Sequence, residues 1–127
     1  MAKVKLTPHQ KAEAELTRFG LTLPETTSGP GLPPMRDLFV RGKTFCIFGA
    51  KNEPPDALTI TLKLPVSFEM IQDLPFVRPS KGWYKQHQWA HAHFGPEDDV
   101  LAELDTLKSW IVQSYRAIAP KSLGKLV

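Results

Sequence analysis

The chain has 127 residues, enough for one hydrophobic core, so we expect a single domain over residues 1–127. Its hydrophobic content of 42% and charged content of 23% are ordinary for a globular protein, and no apolar run is long enough to span a membrane. The net charge of +3 does not by itself indicate nucleic-acid binding. An N-terminal segment without the apolar region of a signal peptide, together with a single cysteine, predicts a cytoplasmic protein.

The first predicted element is a helix that begins at Pro8. Thr7 is a favourable N-cap residue, and a glutamine three positions later completes a capping box. Ala12, Leu16 and Phe19 form an apolar stripe, and the following glycine ends the helix. The segment 22–35 is rich in Pro, Gly, Ser and Thr, which predicts a loop with one edge strand near residues 25–28.

Two strand regions follow. Residues 38–48 predict a β-hairpin that turns at Arg41-Gly42-Lys43. Residues 58–64 alternate strictly, which predicts that the strand buries Leu58, Ile60, Leu62 and Leu64 and exposes Thr59, Thr61 and Lys63. A short helix is predicted over 67–74, with Phe68, Ile71, Met70 and Leu74 facing inward, and a loop over 76–81.

The stretch 81–94 (KGWYKQHQWAHAHF) concentrates the aromatic and histidine residues of the chain. It holds two of the three Trp and three of the four His, and the wider segment 74–96 contains no acidic residue. From Gln88 onward it alternates. This predicts a strand with Ala90, Ala92 and Phe94 on the core side and Trp89, His91 and His93 on an open side.

The last predicted element is a long helix over 97–119. Its apolar stripe consists of Leu104, Leu107, Ile111, Ser114 and Ile118, with Leu101 and Tyr115 beside it. The acids at its start and the bases at its end complement the helix dipole. These elements together predict an α+β fold of two layers, an antiparallel sheet with helices packed on one face.

Four segments match the pattern of a known family. They are the hairpin 39–45, the strand end Leu62-Lys63-Leu64-Pro65, Trp89 at the start of an alternating strand, and the C-terminal run 111–123. In their order and spacing the chain resembles the MmcQ/YjbR family, small bacterial proteins often labelled DNA-binding. The resemblance implies a CyaY/frataxin-like fold. The chain departs from it at Ala90 and Ala92, where the family usually has larger aliphatic residues.

The leading functional hypothesis is DNA or other nucleic-acid binding through a basic hairpin and an open sheet face. The candidate residues are Arg41, Lys43, Lys63, Lys81, Trp83, Lys85 and Trp89. Lysine and arginine would contact phosphates while a tryptophan stacks on a base. The alternative is structural: a loop or the N-terminal segment covers Trp89, and the hairpin cations only aid solubility.

Two further hypotheses remain open. The Trp89 sheet face could serve a protein-interaction or small-ligand adaptor. His91 and His93 could bind a metal, although the sequence offers no obvious third ligand. Cys46 lies in an apolar strand and no catalytic motif is present, so we expect a protein that is not an enzyme and has no cofactor. We also expect a monomer.

Overall fold

The structure, a computed structural model, describes residues 6–127. The helices are α1 (Pro8–Gly20), α2 (Gly82–Gln86), α3 (Leu104–Ile118) and α4 (Lys121–Gly124). The strands are β1 (Thr26–Pro30), β2 (Arg36–Val40), β3 (Lys43–Phe48), β4 (Leu58–Lys63), β5 (Val77–Arg78) and β6 (Trp89–Phe94). Among these described residues, no helix combines the length and apolarity needed to cross a membrane.

The strands form one antiparallel sheet in the order β1-β2-β3-β4-β6-β5. Helices α1 and α3 contact each other, and both contact the sheet. The α+β fold predicted from the sequence is therefore confirmed. The finer CyaY/frataxin-like likeness stays a prediction.

Side-chain alternation decides which face of the sheet becomes the core. The register pairs Leu62 with Ala90 and Ile60 with Ala92, so these four side chains share the buried face. Phe76 stacks on Phe94 at a centroid separation of 4.9 Å and also contacts Trp110 of α3. Phe94 is the next residue after Ala92 on the same face of β6, so this aromatic cluster packs near one of the two small alanines.

Local signals fix the start of α1 and the turn between β2 and β3. The Thr7 hydroxyl accepts from the Gln10 amide at 3.1 Å, and the Gln10 side chain accepts from the Thr7 amide at 3.0 Å. Arg41 and Gly42 have φ values of 49° and 79°, and Val40 pairs with Lys43 across them. Two consecutive residues at positive φ are typical of the type I′ turn that suits the twist of a hairpin.

Helix α3 is tied to the sheet by side-chain hydrogen bonds. The Ser114 hydroxyl donates to the Phe45 carbonyl and accepts from the Lys63 amide at 2.9 Å. The Tyr115 hydroxyl donates to the Pro24 carbonyl at 2.6 Å. Both residues are buried and supply hydrogen bonds that hold α3 against the rest of the fold.

Several predicted elements are wrong in detail. Residues 67–74 form turns rather than a helix, and Met70 points outward with 70% of its surface exposed. The short strand β5 replaces part of the loop predicted over 76–81. A run of turns has no regular period, and a strand of two residues is too short to show one, so neither element leaves a clear pattern in the sequence.

The last helix begins later than predicted. Residues 97–99 precede a 3-10 turn at Val100–Glu103, and α3 starts only at Leu104. The Asp98 carboxylate accepts from the Gly95 amide and the Asp99 carboxylate from the Ala102 amide, so these acids shape a turn instead of forming the first helical residues. The shift leaves Leu101 exposed, and Trp110 is buried.

Candidate nucleic-acid interface

The sheet register brings most of the predicted binding residues to one end of the sheet. Strands β3 and β4 are antiparallel, so the β2–β3 turn lies at the same end as the last residue of β4, Lys63. Lys63 pairs with Trp89, the first residue of β6, and α2 precedes that strand directly. The hairpin tip, Lys63, Trp89 and α2 therefore share one end, with neighbouring strands about 4.8 Å apart.

Helix α2, which sequence reasoning missed, folds back over the open face of the sheet. Gly82, its first residue, and Gln88, just beyond its end, have φ values of 57° and 60°, which reverse the chain at both ends. Trp83 stacks on Trp89 with ring centroids 6.1 Å apart, and Tyr84 meets His91 edge-on at 4.9 Å. Because Trp89 and His91 face away from the core, α2 lies on the face opposite to α1 and α3, so the prediction that the helices pack on one face is wrong for α2.

The position of α2 overturns the prediction that Trp89 lies open to a ligand. Trp89 is only 7% exposed because Trp83 covers it, and its carbonyl accepts a 2.7 Å hydrogen bond from the Ser80 hydroxyl. The covering element is a short helix, rather than a loop or the N-terminal segment. Trp83 takes the surface position, with 57% of its surface exposed, and Tyr84 is 40% exposed.

The candidate cations fall into two groups. Arg41 forms an ion pair with Glu25 at 2.9 Å, and this contact lowers the pKa of the Glu25 carboxyl. The Lys63 ammonium donates to the His87 carbonyl at 3.1 Å. Both side chains are therefore already engaged within the protein.

Lys43, Lys81 and Lys85 make up the second group. All three are exposed, and within residues 6–127 no carboxylate lies at ion-pair distance from any of them. Arg78 on the edge strand is also exposed and has no such partner in this part of the chain. We call Lys81, Trp83, Tyr84 and Lys85 the α2 patch; it joins two exposed aromatic rings to two available cations.

The two histidines of β6 are tied to the neighbouring strand. His91 Nδ1 lies 2.8 Å from the Thr61 hydroxyl, and His93 Nδ1 lies 2.9 Å from the Thr59 hydroxyl. Thr61 is buried rather than exposed as predicted, since His91 and the adjoining strands cover it. Burial also lowers the pKa of His91, which favours the neutral imidazole.

Glu53 extends the His93–Thr59 pair into a chain of three hydrogen-bonded side chains. Its carboxylate accepts from both the amide and the hydroxyl of Thr59. An ionised carboxylate can only accept, so the Thr59 hydroxyl proton points to Glu53 and its oxygen accepts from His93 Nδ1. No sequence motif marks Glu53, which lies in the β3–β4 loop, far along the chain from His93.

The arrangement of His91, His93 and Glu53 does not form a metal site with three ligands in the described residues. Each imidazole is held against its own threonine, and across residues 6–127 no three His, Cys, Asp or Glu side chains are grouped to hold a metal ion. Protein zinc sites use three or four such ligands. Metal binding by His91 and His93 stays a prediction without a third ligand in the described chain.

Two other features lie away from the α2 patch. Burial raises the pKa of the Cys46 thiol well above its ordinary value, so this side chain behaves as a core residue rather than a nucleophile. A cleft of about 1090 Å³ runs between α1 and the β3–β4 loop, where Glu13, Arg36 and Lys51 are among its lining residues. The β3–β4 loop lies at the opposite end of the sheet from α2.

Comparison with models of known families and with curated proteins finds no match to this chain. The resemblance to the MmcQ/YjbR family, and the DNA-binding label that comes with it, therefore stay predictions.

Proposed function

We propose that this protein is a non-enzymatic nucleic-acid-binding protein and that the α2 patch is its contact surface. The proposal rests on one observation: Trp83 and Tyr84 stand exposed on a helix between two lysines that are free of carboxylate partners in the described chain. Exposed aromatic rings stack on bases, and nearby cations neutralise phosphates. The absence of acidic residues from 74–96 supports the same reading.

The proposed contacts differ from those expected from the sequence. Trp89 would support Trp83 from below instead of touching the ligand. Lys81 and Lys85 would make the main phosphate contacts, and Lys43 at the hairpin tip would add one from the same end of the sheet. Arg41 and Lys63 would contribute less, because binding a phosphate would compete with Glu25 and with the His87 carbonyl.

Three phosphate contacts imply a measurable salt dependence. For single strands the slope of log affinity against log salt is about −0.7 per contact, or about −2 for three. Affinity should then fall roughly 20-fold between about 50 and 200 mM salt. Binding dominated by apolar contacts would change little over that range.

The experiment is fluorescence anisotropy of a labelled single-stranded DNA oligonucleotide across this salt range. A K81A/K85A double variant should bind more weakly, with a slope smaller by about 1.4. K51A is the matched control, because Lys51 is an exposed lysine at the opposite end of the sheet and should bind like the wild type. Absence of binding at the lowest salt, or equal slopes for both variants, would refute the proposal.

A protein partner is the alternative function, because exposed Trp and Tyr are also typical centres of protein interfaces. The adaptor surface predicted from the sequence was the Trp89 face, but Trp89 is covered, so Trp83 and Tyr84 would have to serve instead. Failure of DNA binding at low salt would favour this alternative. We also propose a cytoplasmic monomer, in keeping with the sequence and with the buried Cys46.

A further inference from the structure

The two aromatic rings of the α2 patch are almost perpendicular. The Trp83 and Tyr84 centroids are 5.5 Å apart, and their planes meet at 84°. Consecutive bases of a duplex are instead parallel, with a rise of about 3.4 Å. Two adjacent bases that remain stacked on each other therefore cannot lie flat on both rings.

Contacts beneath each ring hold this geometry in place. Trp83 lies on the buried Trp89 with 28° between the planes, and the ring of His87, the residue after α2, has its centroid 4.7 Å from that of Trp83. Tyr84 rests edge-on against His91, which the Thr61 hydroxyl holds through Nδ1. The rings are thus supported by the sheet rather than free to turn parallel to one another.

Each ring also keeps an open surface. Trp83 is 57% exposed and Tyr84 is 40% exposed, so part of each side chain is accessible to solvent although neighbouring rings contact both. A base on Trp83 would continue the stack formed with Trp89. A base on Tyr84 would lie nearly at right angles to it.

We propose that the α2 patch selects single-stranded nucleic acid and holds two bases unstacked from each other, one on Trp83 and one on Tyr84. This inference rests on the proposed function and names its substrate class. Lys81 and Lys85 flank the two rings in sequence and would neutralise the phosphates on either side of the splayed step. Stacking tolerates any base, so sequence preference should be weak.

The test compares a labelled single strand of about eight nucleotides with the duplex formed by the same strand and its complement, at low salt. The single strand should bind at least about tenfold more tightly, because a paired base must be unstacked before it can reach a ring. Y84A should weaken single-strand binding by about 5- to 150-fold, as loss of one stacked base does. Y84F keeps the ring and should bind like the wild type.

Trp83 needs a variant that still covers Trp89. W83M retains an apolar side chain without a ring, so it should weaken single-strand binding as Y84A does while circular dichroism confirms folding. L32A is the control, because Leu32 is an exposed apolar residue in the β1–β2 loop, near the far edge of the sheet. It should leave binding unchanged.

A second probe tests the two-base geometry. In a strand with one base among abasic positions, only one ring can be occupied at a time, so Y84A and W83M should each cost less than they do with two adjacent bases. Equal affinity for duplex and single strand, or an unchanged affinity in Y84A, would overturn the inference and leave the proposed function standing. Absence of binding to either form would overturn both.

Discussion

Trp83 and Trp89 stack on each other, yet they should contribute very differently to stability. A buried tryptophan removes about 150–250 Å² from water, which corresponds to about 4–6 kcal/mol at 25 cal/mol per Å². Correction for a compact unfolded state lowers this to about 3–5 kcal/mol, the usual cost of a buried Trp→Ala substitution. Because Trp89 is only 7% exposed, the W89A substitution should lower the free energy of unfolding by that amount.

Trp83 buries less than half of its surface, so W83A should cost only about 1–2 kcal/mol. Part of that cost comes from exposing Trp89, since the two indoles lie 6.1 Å apart. W89F should fall between the two alanine variants because it restores part of the buried ring.

Urea unfolding followed by far-UV circular dichroism measures these differences directly. The m-value should be similar in all variants, so that changes in midpoint report stability. Equal destabilisation by W83A and W89A, or a loss below about 1 kcal/mol in W89A, would refute the placement of Trp89 beneath α2. Loss of DNA binding in W89A would not identify a stacking residue, because that variant removes the support of Trp83.

Two predictions concern pH. Contacts with Arg18 and Lys108 lower the pKa of Glu15 from 4.5 to about 2, so the stabilising effect of Glu15 is present above pH 4.5 and is lost as the pH falls toward 2. The melting temperature of E15Q should therefore change less than that of the wild type over this pH range. An unchanged pH profile in E15Q would contradict the ion pairs. Burial raises the pKa of Asp37, and although one carboxylate oxygen accepts from Thr44, the other is buried without a partner within the described residues. The contribution of Asp37 to folding stability is therefore greatest below its ordinary pKa of 3.8 and is lost as the pH rises. D37N should be more stable than the wild type at neutral pH and about equally stable at acid pH. Urea unfolding that finds D37N less stable at neutral pH would contradict this prediction.

Local patterns determined the framework of this protein. The Thr7–Gln10 capping box, the turn at Arg41-Gly42 and the alternation along β4 and β6 were readable because each depends on residues close together in sequence. Alternation alone assigned Trp89, His91 and His93 to the face away from the core. The α+β class follows from these elements and was predicted correctly.

Only the tertiary structure decided what lies on that face. Helix α2 has five residues, too few for a recognisable period, and its return over the sheet depends on positive φ at Gly82 and Gln88. The engagement of Arg41 by Glu25 likewise joins residues distant in the chain. Local sequence sets the direction of each side chain, but exposure depends on whether another segment packs over it, and for that reason Trp83, not Trp89, stands at the surface.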